Sequence, residues 1–334
     1  MKRRSLYFSA PRSIELREDQ LAAPGPGQVQ VHSHCSAISA GTELLLYGGE
    51  APSAAAADEQ LVALSGSLAY PLKYGYCAVG TVAAADPDLD PGWRGRRVFA
   101  FNPHENAFNV AVDDLQPIPD VVPNEDAVFL ANMETTVNLI LDAQPRLGER
   151  AVVIGQGVVG LLATTLLRRH PLDALYALDR YPSRRARAEA FGADQAFDPA
   201  ESAAAQATLG PLGADLVLEL SGQPEALNLA LDLVGPGGRV VVGSWYGTRR
   251  APINLDEGFH RGRVQIISSQ VGQLPAVLSA RWDRRRRFAV AWDLLAAVQP
   301  SRLVSHRFPL DRAAEAYALL AEQPDEALAV LFTY

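Results

Sequence analysis

Apolar and polar positions alternate through the first third of the chain and then change rhythm. "QVQVHSHCSAI" from Gln28 keeps the two-residue period of a half-buried strand. "YGYCAVGTVAAA" from Tyr74 and "RRVFAF" from Arg96 continue that texture, with "APGPG" and "PDLDPGW" as turns between strands. From about Asp126 the apolar spacing becomes helical in "EDAVFLANMETTVNLILDA". Short runs apolar on both faces follow: "RAVVIG", "ALYALD", "ADLVLELS", "GRVVVGS" and "VQIISSQ". They are separated by the helical stretches "VVGLLATTLLRRH", "SRRARAEAFG" and "PEALNLALDLV". Such alternation predicts an α/β domain, a doubly wound parallel sheet covered on both faces, over residues 126–272. The tail predicts a helix in "FAVAWDLLAAV", a strand in "LVSHRFPL", a helix in "DRAAEAYALLAEQ" and a last strand in "LAVLFTY". Residues 1–125 and 273–334 together are expected to form a second, β-rich domain.

The turn after the first of the apolar strands, "VVIGQGVVG", places Gly155, Gly157 and Gly160 in the pattern G-x-G-x-x-G, between a strand and a helix. There the first glycine permits a tight turn, the second lets backbone approach a pyrophosphate, and the third lets helix and strand pack closely. The helix start at Val158 and Val159 then presents free N–H groups and the positive end of its dipole to an anion. Asp179, about twenty residues further on at the end of the next strand, is placed to accept hydrogen bonds from ribose hydroxyls, which favours NAD. Arg180, Arg184 and Arg185 follow at once and leave NADP possible. Strand ends at Ser221–Gly222 and Gly243–Ser244 are expected to line the nicotinamide side, as is Thr135 or Thr136 at the start of the entering helix.

Composition narrows the classes. At 48% hydrophobic and 20% charged residues with a net charge of −8, the chain reads as a soluble protein with no nucleic-acid partner. Two cysteines, Cys35 and Cys77, are too few for a disulfide framework or a four-cysteine zinc cage, which points to a reducing, cytoplasmic setting. The start lacks an apolar leader, and "AVVIGQGVVGLLATTLL" is too short and too glycine-rich to cross a membrane. The arginine run in "RWDRRRRF" winds around a helix and reads as a solvated or salt-bridged surface, with steering of an anionic group as the lesser reading.

Taken in order, "CSAISAGTELLLYGG", "PLKYGYCAVGTV", "GRRVFAF", "VVIGQGVVG" and "HRFPLDRAAEAYALL" resemble the medium-chain dehydrogenase/reductase superfamily over essentially the whole chain. "SAISAGTELLLYGG" resembles more specifically the branch with bacteriochlorophyllide dehydrogenase-like members. The resemblance implies a GroES-like catalytic domain joined to a Rossmann cofactor domain, substrate in the cleft between them, and a homodimer paired through an edge such as "VQIISSQVGQ". It also implies where a catalytic zinc would sit. Ser39 stands in place of the ligand cysteine, Tyr76 in place of the histidine, and Met133 or Glu134 at the third position. Ser, Tyr and Met do not make a zinc site, so none is expected. A zinc dehydrogenase with unusual ligands, drawn from Cys35, Cys77, His104 or Glu134, stays open as an alternative.

Without a metal, hydrogen-bond donors must stabilise charge developing on a reacting oxygen. Tyr76 leads the candidates, because the resemblance sets it facing the nicotinamide. Thr42 resembles a relay hydroxyl, Glu43 would orient it or act as a base, and His104, expected in a loop bordering the cleft, suits proton shuttling. Cys77 reads as a small buried hydrophobe, since no partner stands at nucleophile spacing. Lys73 has Ala69 four residues before it, which excludes the Tyr-x-x-x-Lys chemistry of short-chain dehydrogenases. The expected activity is zinc-independent, NAD(P)-dependent oxidoreduction of a small-molecule carbonyl or alcohol. Reduction of an activated double bond or quinone is the alternative within the same fold, and a catalytically silent NAD(P)-binding sensor or scaffold is the alternative outside it. Segments 44–70 and 244–262 would shape the substrate's surroundings, 51–70 as a mobile loop.

Overall fold

The computed structural model describes residues 1–56 and 61–334; residues 57–60, inside the stretch expected to be a mobile loop, lie outside the described residues. The strands are β1 (Lys2–Ala10), β2 (Ser13–Gln20), β3 (Gln28–Ala37), β4 (Ala78–Ala85), β5 (Arg97–Ala100), β6 (Ala107–Ala111), β7 (Leu115–Pro117), β8 (Arg150–Ile154), β9 (Ala174–Leu178), β10 (Gln195–Phe197), β11 (Ala214–Glu219), β12 (Val234–Val242), β13 (Gln265–Ser268), β14 (Val304–Pro309) and β15 (Ala329–Thr333). The helices are α1 (Ala40–Gly48), α2 (Asn124–Ala127), α3 (Leu130–Ala143), α4 (Val158–Leu167), α5 (Pro182–Ala190), α6 (Ser202–Leu209), α7 (Ala226–Leu233), α8 (Glu257–Gly262), α9 (Arg284–Val298) and α10 (Ala313–Glu322). None of them is long and apolar enough to cross a membrane.

The chain divides into two compact units, Met1–Ala131 with Trp292–Tyr334, and Asn132–Ala291. Both divisions fall inside helices, α3 and α9, rather than at 125/126 and 272/273. A helix keeps one periodicity along its length, so the pattern cannot mark where its packing partners change.

The first unit is a GroES-like, mainly antiparallel sheet in the order β14-β15-β3-β4-β5-β7, with β6 on β3 and a separate β1–β2 hairpin. Only β14 and β15 run parallel. Its core gathers Leu6, Phe8, Leu46, Tyr47, Tyr317 and Phe332. The Tyr317 ring meets Phe8 edge-on at 5.2 Å and stacks on Tyr47 at 5.5 Å, so its buried hydroxyl has to find an internal acceptor. Residues 73–77, expected to be part of a strand, are an irregular lead-in to β4.

The second unit is a six-stranded, all-parallel sheet in the order β10-β9-β8-β11-β12-β13, a Rossmann arrangement. In β8, Val152 and Ile154 pack into the core on one face while Ala151 and Val153 pack into the core on the other. This two-sided burial is what the unbroken apolar runs encode. Strand β10 and helix α6 are additions to the elements expected from sequence.

Candidate active site

In the second unit the glycine turn joins β8 to α4. Gly155 has φ of +91°, and a Cβ there would lie 2.6 Å from the Ser221 Cα. A Cβ on Gly160 would lie 1.9 Å from the Gly155 carbonyl oxygen, so the helix start rests directly on the turn. Gly157 is different: it caps α4 with φ of −72°, and no heavy atom lies within 4 Å of where its Cβ would be. That open side and the half-buried Val158 and Val159 form a cradle a side chain would fill. Behind it, buried Gln156 accepts from Thr164 Oγ1 at 3.1 Å and donates to the Val153 carbonyl, also at 3.1 Å.

Asp179, at the end of β9, is only 6% exposed. Its Oδ2 accepts from the Gln156 amide at 2.7 Å and its Oδ1 from the Tyr181 amide at 2.9 Å. The carboxylate therefore fastens the glycine turn to the next strand, besides standing where a ribose is expected. Replacing Asp179 with Ala orphans two main-chain donors and is expected to destabilise the unit by about 1–3 kcal/mol, read by urea or thermal unfolding. Beside it, the Arg180 and Arg184 guanidiniums lie over the Tyr181 ring at 4.6 and 4.9 Å.

At the ends of β11 and β12, fully buried Glu219 accepts from the Ser221 amide at 2.8 Å, from the Ser221 hydroxyl and from the Tyr246 hydroxyl at 2.5 Å. Ser244 Oγ accepts from the Gly222 amide at 2.9 Å, with Gly243 just before it at the end of β12. Burial pushes the Tyr246 phenol well up, so it stays a donor. Two expected positions are corrected. Thr136 is fully buried and its hydroxyl donates within α3 to the Asn132 carbonyl at 2.7 Å, because a threonine inside a helix readily bonds the preceding turn. Glu134 is buried against Arg287, whose Nη2 approaches it at 2.6 Å, while Arg287 Nη1 donates to Asn138 at 2.7 Å. Of the four arginines, Arg287 turns inward and the other three are exposed.

In the first unit three hydroxyls converge at the start of α1. Tyr76 Oη shares a hydrogen bond with Ser39 Oγ and lies 3.3 Å from Thr42 Oγ1. Burial raises the Tyr76 phenol well above its usual range, with a small addition from the Glu43 charge. Glu43 is fully buried: its Oε1 accepts from the Ser39 amide at 2.7 Å, and its Oε2 lies 3.0 Å from His104 Nε2 and accepts from the Tyr317 hydroxyl. His104 is also fully buried, against Phe332 and under Gly75, whose absent Cβ would sit 2.8 Å from the imidazole. It is thus not a solvated loop histidine; the loop turns inward because both ring nitrogens have internal partners. Cys77 is buried with its thiol held protonated by desolvation, and burial pushes Cys35 up to about 12. Lys73 is tied to Glu105 at 2.7 Å.

A family model described as a zinc-binding dehydrogenase matches residues 158–293. The 2-desacetyl-2-hydroxyethyl bacteriochlorophyllide A dehydrogenase of Cereibacter sphaeroides is 26% identical over 345 residues, covering 97% of this chain and 96% of that protein. These similarities support assignment of the chain to the medium-chain dehydrogenase/reductase superfamily. Solved members with the same fold include RspB of Escherichia coli CFT073 complexed with NADH (TM-score 0.80, 19% identical, covering 100% of this chain and 99% of that one). A putative zinc-binding dehydrogenase from Sinorhizobium meliloti 1021 bound to NADP also has TM-score 0.80, at 20% identity and full coverage of both chains.

Among the described residues no three His, Cys, Asp or Glu side chains gather so as to hold a metal ion. Ser39 and Tyr76 are bonded to each other, and Glu134 to Arg287. Sequence reasoning missed Glu219, Tyr246, Tyr317, Ser36 and Gln156. The signal for Glu219 was an acid closing the apolar run Leu216–Leu218 at the carboxyl end of its strand, whereas Tyr317 reads in sequence as ordinary helix core.

Proposed function

We propose that this protein is an NAD(P)(H)-dependent oxidoreductase acting on a small-molecule carbonyl or alcohol without zinc. The observation that carries this reading is the trio of hydroxyls from Tyr76, Ser39 and Thr42 at the positions where relatives would hold a metal. When bound, the nicotinamide supplies or accepts the hydride. The chain's own part is to hold the pyrophosphate on the open face of Gly157 at the α4 start, and to set the ribose beside Asp179. Arg180 and Arg184 flank that place, so NAD is the expected cofactor and NADP is accommodated as well. Tyr76, kept protonated by burial, presents a hydrogen bond and a proton to the reacting oxygen; Ser39 and Thr42 fix the direction of its hydroxyl. The expected assembly is a cytoplasmic homodimer through the β13 edge, a reading supported by the exposure of Ile266 there.

Titration with NADH and NADPH by fluorescence, followed by turnover on a carbonyl panel before and after chelation, tests the reading. Tyr76→Phe is expected to lower turnover at least tenfold with cofactor affinity unchanged. Stoichiometric zinc whose removal abolishes the rate, or full turnover in Tyr76→Phe, would overturn it.

A further inference from the structure

Behind the three hydroxyls lies a line of buried polar groups that the reading above leaves unused. Ser36, Glu43 and His104 are each fully buried. His104 Nδ1 lies 2.6 Å from Ser36 Oγ, which lies 2.6 Å from the hydroxyl of Tyr334, a residue 37% exposed. On the other side of the ring, Nε2 meets Glu43. A carboxylate only accepts, so Nε2 carries the hydrogen and Nδ1 is left to accept from Ser36, which in turn accepts from Tyr334. In that orientation each hydroxyl points its hydrogen towards the ring, so the line delivers a proton inward and is left with both hydroxyls reversed, ready for outward return. Glu43 also grips the Ser39 amide, and the Ser39 side chain is on Tyr76.

We infer that Tyr334, Ser36, His104 and Glu43 form a proton path by which solvent sets the charge beneath Tyr76. This rests on the reading of Tyr76 as donor. When the Tyr76 O–H bond breaks and its proton bonds to the reacting oxygen, a phenolate is left close to the Glu43 carboxylate. A proton taken from water at Tyr334 passes through Ser36 and forms an N–H bond at His104 Nδ1. The resulting imidazolium neutralises Glu43 and lowers the cost of that phenolate. No electrons move along the path; when the product leaves, the Tyr76 phenolate regains a proton from water entering the vacated site, and the reverse movement along the path returns the His104 proton to water.

The other groups facing this line do not supply the charge. Tyr317 from α10 donates to Glu43 and is held protonated by burial, as is Cys77 before β4. Cys35 on β3 stays neutral near Tyr334. Glu105, next to His104 in the chain, is matched by Lys73 at 2.7 Å and Arg3 at 3.9 Å.

The path can be tested without a substrate. Proton exchange with water at His104 Nδ1, followed by NMR on histidine-labelled protein, is expected to slow at least tenfold in Ser36→Ala and in Tyr334→Phe. Ser36→Thr, which keeps the hydroxyl, is expected to restore it. Equal exchange in wild type and Ser36→Ala would overturn the path. On whichever panel carbonyl is turned over, Ser36→Ala is expected to lower kcat at least fivefold and enlarge the solvent isotope effect, with KM unchanged. Slowed exchange with unaltered kcat would overturn the link to Tyr76. No turnover by wild type on any carbonyl would instead count against the function proposed above, and the exchange result would still decide the path.

Discussion

Gly160→Ala is expected to abolish detectable dinucleotide binding and to destabilise the second unit, whereas Gly157→Ala is expected to weaken binding alone. The difference follows from what each new methyl would meet. At Gly160 it falls 1.9 Å from a main-chain oxygen that cannot swing aside, so either α4 or the Gly155 turn must move. Overpacking of that severity costs about 1–3 kcal/mol or more, and the displaced helix start no longer aims its N–H groups at one place. At Gly157 the methyl enters open space with an ordinary φ of −72°. It leaves the turn intact but occupies the face that a pyrophosphate needs, with an expected loss of at least about a hundredfold in affinity, or ~2.7 kcal/mol. Urea unfolding together with NADH titration separates the two outcomes. Normal NADH affinity in Gly157→Ala would mean that the cofactor does not sit on that face.

The second large effect is expected at Arg287. Replacing it with Ala leaves Glu134 buried without its 2.6 Å partner and removes the donor to Asn138. Breaking a buried pair in this way costs about 3–5 kcal/mol, seen as lost hydrogen-exchange protection along α3. The pH dependence gives the loss a sign. Burial pushes the Glu134 carboxyl up, and Arg287 only partly pulls it back. A group whose value is raised by folding favours the fold at low pH, and that contribution fades as pH rises through the folded value. Without Arg287 the raise is larger, so the variant is expected to regain stability on acidification from about pH 7 towards about pH 4. The double variant Glu134→Leu with Arg287→Met, of similar volume and no charge, is expected to be close to wild type in stability. If Arg287→Ala alone unfolds like wild type at neutral pH, the ion pair is not a structural tie.

Sequence carried the second unit further than the first. Parallel strands buried on both faces are apolar along their whole length, and the glycine turn is local, so β8, β9, β11, β12 and α4 stood out together. Strand β10, three residues from Gln195 to Phe197, is too short to show a period, and α6 is alanine-rich with little contrast between its faces. The limits of the candidate site were of another kind. Ser39, Thr42, Glu43 and Tyr76 were named from resemblance, and they share one cluster of hydrogen bonds. His104 was named for the wrong surroundings, since nothing local reveals that its loop folds inward onto Glu43. Ser36, Tyr317 and Tyr334 join that network only through contacts between distant parts of the chain, which composition and spacing do not encode. Glu134 and Arg287 are separated by most of the second unit, and an arginine run gives no sign that its last member turns away from water.

The double grip of Asp179 on the Gln156 and Tyr181 amides has a practical bearing on redesign. Exchanging that acid to favour a phosphorylated adenosine would loosen the scaffold along with the selectivity. Engineering of nucleotide choice is better begun at the neighbouring guanidiniums of Arg180 and Arg184, where side chains can be traded while the fastening stays closed.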